Sequence, residues 1–146
     1  MTTGKLLAID HGIKRLGVAV CDAMRIVARE VTIINRTTRQ ADFEKIIALA
    51  VQENVVGIIV GIPFDETLPE GEHTRADTVF LWAERLAGVT DIPIDFWDEQ
   101  NSSLDAQVIA KQKKRKITDH IDDLAARVIL QRYIDAQRDG LVEDGI

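Results

Sequence analysis

A single cysteine, Cys21, occurs among 146 residues, so no internal disulfide can form. With no histidine near it nothing suggests a thiol nucleophile, and it reads as a small core residue. Histidine is also scarce: His11, His73 and His120 are scattered and lack the ligand spacing of a zinc site. Each reads as a surface or turn residue, and only His11, beside Asp10, keeps a claim to a site role. There is no long hydrophobic run and no basic-plus-apolar leader, so neither a membrane span nor a secretory signal is expected, and the protein should be cytoplasmic. Cations are outnumbered, 18 Lys and Arg against 24 Asp and Glu, and the net charge of −6 is unlike that of a protein that coats nucleic acid. Binding to a polyanion would have to be local. Aromatics make up 5% of the chain, and Trp82 and Trp97 fall in a helical and a strand pattern, which favours packing over base stacking. No internal repeat or low-complexity tract interrupts the chain, and its length suits a single domain over residues 1–146.

What is present begins with Leu6-Leu7-Ala8-Ile9-Asp10, a short apolar run ending in a carboxylate. A turn with Gly12, Lys14 and Arg15 and a second apolar run from Leu16 to Val20 follow, which predicts a β-hairpin. Leu6, Ala8 and Asp10 share one face of the first strand, so Asp10 is carried on a packed face. Two readings stand for it at this point, turn hydrogen bonds or a ligand to a metal or phosphate. Residues 25–34 predict a third strand, antiparallel to the second. Phe43, Ile46, Ile47, Ala50 and Val51 then recur with helical period, and Val55–Val60 reads as a strand covered on both faces. Gly61-Ile62-Pro63 opens a long loop to His73, of a length often found to be functional. Thr74 and Asp77 form a capping pair ahead of the helical face Ala76, Val79, Phe80 and Ala83. Ile92–Trp97 is an edge strand by its proline, and it runs into Asp98-Glu99. The rest reads as helix, broken by the basic run at residues 111–116.

The order of three strands, helix, strand, helix, strand, helix is that of the ribonuclease H-like α/β fold: a five-stranded mixed sheet, three strands antiparallel and then parallel ones, with helices packed on it. The chain also resembles the bacterial pre-16S rRNA nucleases, described as Holliday-junction-resolvase-like (YqgF, RuvX). The pieces that carry the resemblance are Asp10 to Ala19, Gly61-Ile62-Pro63, Asp98-Glu99, and Ile121 to Ala126 with Ile129 to Tyr133. Two departures stand out. Ile13 occupies a position where the family has Thr, and Gln100 follows Asp98-Glu99 where it has Arg, which touches substrate handling more than chemistry.

The resemblance implies a hydrolase that cuts phosphodiester bonds in structured nucleic acid, most plainly at the end of the 16S rRNA precursor during ribosome biogenesis. Such hydrolysis is served by two hard cations held by oxygen ligands, which orient water and stabilise the leaving oxygen. Asp10, Glu99 and Asp122 are the acids assigned as catalytic and metal-ligating, with Mg²⁺ or Mn²⁺, two ions, as cofactor. Without the resemblance, Glu99 would read first as a solvated residue at a strand mouth, and the resemblance reverses that order. Asp122 is chosen over Asp123 because Ala126, Ile129 and Tyr133 continue its face as an apolar stripe, whereas Asp123 has Arg127 at a pairing distance of four residues. Lys14 and Arg15 in the hairpin turn, and Lys113, Lys114, Arg115 and Lys116 before the last helix, are the expected nucleic-acid-binding cations, acting through phosphate contacts. The expected partner is a ribosomal RNA precursor or branched DNA, with no membrane, and the protein a monomer or homodimer. Three rivals remain: a DNA junction resolvase, a binding module of the same fold with weakened turnover, and a phosphotransferase of the actin and sugar-kinase type. The last would need a second such domain and a second phosphate loop, which the sequence does not show.

Overall fold

The structure, a computed structural model, describes residues 3–64, 71, 73–99, 106, 109–113, 120–141 and 146. Its elements are β1 (Leu6–His11), β2 (Arg15–Cys21), β3 (Ala28–Asn35), α1 (Arg39–Gln52), β4 (Gly57–Ile62), α2 (Arg75–Ala87), β5 (Ile94–Asp98) and a final helix, α3 (Asp122–Arg138). The five strands form one sheet in the order β3-β2-β1-β4-β5. β1 is central, antiparallel to β2 and parallel to β4, and β5 runs parallel to β4 at the edge. This is the mixed sheet expected from the order of elements.

Side-chain alternation along β1 divides the interior. Leu7 and Ile9 face a layer containing Phe43 and Ile46 of α1 and Val79, Trp82 and Leu86 of α2. Leu6 and Ala8 face the opposite layer, with Ala126, Ile129, Leu130 and Tyr133 of α3. Asp10, two residues on from Ala8, therefore sits on the α3 side. The far flank of α3 is covered in turn by Ala106 and by a helical segment at residues 109–112, against which Leu124, Ala125 and Val128 pack.

Local chemistry explains the boundaries. Thr38 caps α1 by accepting a hydrogen bond from the Ala41 amide, and Thr74 with Asp77 forms the expected capping box at the start of α2. β3 begins at Ala28, later than residue 25, because the Asp22 carboxylate accepts from the amides of Ile26 and Val27 and holds them in a turn. Arg25 takes a left-handed conformation in that turn, with φ 55°. β4 is displaced by two residues toward Ile62, leaving Val56 exposed. Val51 and Phe80 are exposed as well. Periodicity places both on buried faces, but each lies at the margin of its stripe. Phe80 meets the rings of Phe96 and Phe64 at centroid distances of 4.9 and 6.0 Å. No helix among the described residues is long and apolar enough to cross a membrane.

Candidate active site

Asp10 and Glu99 are brought together by the parallel order of β1, β4 and β5, whose carboxyl ends lie at the same end of the sheet. The Glu99 amide, just past β5, donates to the carbonyl of Ile62 at 3.1 Å, which fixes the residue beside the end of β4. Gly61 provides the space for its side chain: a Cβ at Gly61 would stand 2.8 Å from Glu99 Oε2 and 2.5 Å from Ile129 Cδ1. The two carboxyls hydrogen-bond to each other. Burial, the Glu99 charge and that hydrogen bond raise Asp10 well above the ordinary value of 3.8, and the Asp122 charge adds to the effect. Glu99 is also raised, chiefly by burial. A pair of this kind holds a proton between its members and releases it when a cation takes the proton's place.

Asp122 opens α3, whose start presses onto bare backbone. Gly17 pairs with Asp10 across the β1–β2 ladder, and a Cβ there would come within 1.8 Å of the Asp122 carbonyl oxygen. The Asp122 carboxylate is engaged by Arg15, whose Nε lies 3.2 Å from Oδ2. Asp123 follows Asp122 in the first turn of α3. It is buried, at 7% exposure, and its Oδ1 accepts from the Leu124 amide at 2.9 Å. The expected pairing of Asp123 with Arg127 does not occur, because Arg127 reaches across to Glu30 of β3 at 3.2 Å. The stripe that continues Asp122 is buried as expected, and Tyr133 at its end donates to Asp95 Oδ2 at 2.6 Å.

Two side chains that sequence reasoning did not assign complete the surroundings. Arg75, the first residue of α2, donates through Nη2 to the His11 carbonyl at 2.9 Å and lies 3.3 Å from His11 Nδ1. Its charge favours the ionised forms of both Asp10 and Glu99. Arg36 donates to the carbonyls of Gly12 and Ile13 and so braces the hairpin turn that carries Lys14 and Arg15. His11 is neither a surface nor a turn residue. It is 4% exposed, on the α2 side of β1, with its ring 4.8 Å from that of Trp82. Burial, with Arg36 and Arg75 nearby, holds its pKa down to about 4, so it is neutral at pH 7.

Of the expected binding cations, Lys14 is exposed at the turn and Arg15 stands at Asp122. Lys113 forms an ion pair with Glu30 at 2.6 Å. Lys114, Arg115 and Lys116 lie outside the described residues.

Among the described residues, no group of three His, Cys, Asp or Glu side chains stands close enough to hold one ion. The donors present nevertheless fit a hard divalent cation. Asp10 and Glu99 offer adjacent carboxyl oxygens whose shared proton an ion would replace, and the charge of Asp122, paired with Arg15, is felt at Asp10.

The family model described as RuvX, Holliday junction resolvase, matches residues 4–136. A protein of Rhodopseudomonas palustris named "Putative pre-16S rRNA nuclease" is 37% identical over 139 residues, covering 91% of this chain and 82% of the relative. One of the same name from Synechocystis is 34% identical over 142 residues, covering 95% and 92%. Among solved structures, Thermus thermophilus RuvC in complex with a Holliday junction substrate matches with a TM-score of 0.61 at 15% identity, over 94% of this chain and 97% of that one. The fowlpox virus resolvase, also with junction DNA, matches with a TM-score of 0.56 at 11% identity, over 91% and 98%. These two show a shared fold. With a family match across nearly its whole length and close-length relatives above 30% identity, the chain belongs to the RuvX family, nucleases of the ribonuclease H-like fold.

Proposed function

We propose that residues 1–146 form a single nuclease domain that trims the precursor of 16S rRNA in the cytoplasm, as a monomer or homodimer, using Mg²⁺ or Mn²⁺. The observation that carries this reading is the Asp10–Glu99 carboxyl pair at the carboxyl ends of the parallel strands β1 and β5, with the charge of Asp122 acting on Asp10. Asp10, Glu99 and Asp122 would hold the divalent ions by oxygen donation, the Asp10–Glu99 pair giving up its proton as they bind. Bound there, the ions would lower the pKa of an attacking water and stabilise the departing oxygen. Trp82 and Phe43 close the layer beneath β1 on its other face, so the strand end bearing Asp10 is fixed by packing. Lys14, on a turn braced by Arg36, would meet backbone phosphates of the substrate, and Arg15 would do so once an ion takes its place at Asp122.

The RNA substrate is supported by the names of relatives that match over most of their own length. Branched DNA is the second reading, supported by the family description. A panel of end-labelled precursor RNA and four-way junction DNA, incubated with and without Mn²⁺, separates them. Mn²⁺-dependent cleavage of the RNA at a defined site, with the junction left intact, is expected. Cleavage of the junction alone would give the substrate to the second reading, and full activity in EDTA would remove the metal mechanism.

A further inference from the structure

We infer that Arg75 is a substrate-contacting residue of this site: its guanidinium, anchored at one corner to β1, receives a phosphate oxygen of the strand presented to Asp10 and Glu99. This rests on the nuclease reading above. Arg75 begins α2 directly after Thr74, whose hydroxyl accepts from the Asp77 amide while the Asp77 carboxylate accepts from the Thr74 amide. The capping box fixes the backbone from which the guanidinium projects. From there Nη2 reaches the His11 carbonyl at 2.9 Å, one residue beyond Asp10.

A guanidinium carries five N–H donors in a rigid fork. Both contacts of Arg75 with His11, to its carbonyl and its ring, use Nη2 alone. Among the described residues, Nη1 and Nε have no acceptor and no carboxylate lies within ion-pair distance. The other arginine at the site differs in this respect, since Arg15 is committed to Asp122. The Arg75 side chain is half-buried, so the remaining donors are not wholly enclosed.

Tethering α2 to the end of β1 would need only one donor. The donors left on Nη1 and Nε can take a phosphate oxygen by a charge-assisted hydrogen bond. Divalent ions at Asp10, Glu99 and Asp122 would offset the carboxyls, and a resident guanidinium beside them adds a fixed positive charge for the phosphate that approaches. Arg75 is also the cation whose charge bears on both Asp10 and Glu99.

The test uses a fluorescein-labelled RNA hairpin with single-stranded tails. Binding is followed by anisotropy over a range of salt concentrations in the Asp10→Asn background with Mg²⁺, and cleavage in the wild-type background with Mn²⁺. Arg75→Gln is expected to reduce the slope of log K against log salt by about one, as for one lost phosphate contact, and to lower kcat/KM by at least about tenfold. Arg75→Lys should restore the slope and only part of kcat, because an ammonium is a point charge without the fork. Thr74→Ala, which loosens the same helix start while leaving the guanidinium, should keep the slope. An unchanged slope in Arg75→Gln, or a loss reproduced by Thr74→Ala, would overturn the inference. A wild-type protein that binds the hairpin and cleaves no substrate would defeat the nuclease reading, while the slopes would still decide the contact.

Discussion

Arg15 Nε stands 3.2 Å from Asp122 Oδ2, so the turn between the first two strands is locked to the first residue of the last helix. The same contact sets a cation from the protein against any metal ion that would take Asp122 as a ligand. Arg15→Gln should therefore bind Mn²⁺ more tightly than the wild type when no nucleic acid is present. Calorimetric titration checks this, with a small loss of apo stability, below about 1 kcal/mol, because the pair is partly exposed. Equal or weaker Mn²⁺ binding would show that Asp122 is not a ligand.

The raised pKa of Asp10 makes a signed prediction for the metal-free protein. A carboxyl whose folded pKa lies above its unfolded value binds more protons in the native state, so stability is greatest below about 3.8 and falls as pH rises toward the folded value. Asp10→Asn removes that penalty. Thermal melts in EDTA should show the variant more stable than wild type at pH 8 and the difference shrinking toward pH 4, while cleavage is abolished.

Asp122 and Asp123 should separate cleanly. Asp122→Asn is expected to abolish cleavage with stability nearly unchanged. Asp123 is buried and bonded to the Leu124 amide, so Asp123→Asn should cost about 1 kcal/mol in urea denaturation and leave metal-dependent cleavage in place. The reverse pattern would exchange their roles.

Glu30 gives the opposite pH dependence. Burial works against its charge, but the hydrogen bond and charge of Lys113, with Arg127, bring its pKa to about 2. A depressed carboxylate stabilises above its unfolded pKa of 4.5 and loses that contribution as pH falls toward 2. Glu30→Gln should cost about 1 kcal/mol at pH 7, the size of a partly exposed ion pair, and nothing near pH 2. It should also free Lys113, and stronger binding of RNA by this variant would show that the lysine is available to phosphates once released.

Where local spacing carried the information, the sequence was readable. Asp10 ends an apolar run of alternating faces, Thr74 and Asp77 stand three apart, and the stripe through Ala126, Ile129 and Tyr133 identified the inner face of α3. The residues that were missed owe their roles to partners far along the chain. Arg75 and His11 are 64 residues apart, and Arg127 and Glu30 are 97 apart. No period or motif reports such a meeting. Arg127 shows the consequence: a four-residue spacing from Asp123 is worth a few tenths of a kcal/mol, which a cross-sheet partner easily outweighs. His11 was misplaced for a related reason, since strand β1 runs one residue past the carboxylate and carries the imidazole into the α2 layer.

Gly17 has a consequence for inheritance. Across from Asp10, its α-carbon faces the main chain of α3, and even one added carbon would fall 1.8 Å from the Asp122 oxygen. Every missense change in that codon adds at least that carbon, so drift has no graded route through position 17. Neighbouring surface positions such as Ile13, 73% exposed, can be explored freely by comparison. In a population under selection for this activity, a library covering the hairpin should lose its alleles at codon 17 together, alanine with tryptophan, while codon 13 retains a broad spectrum.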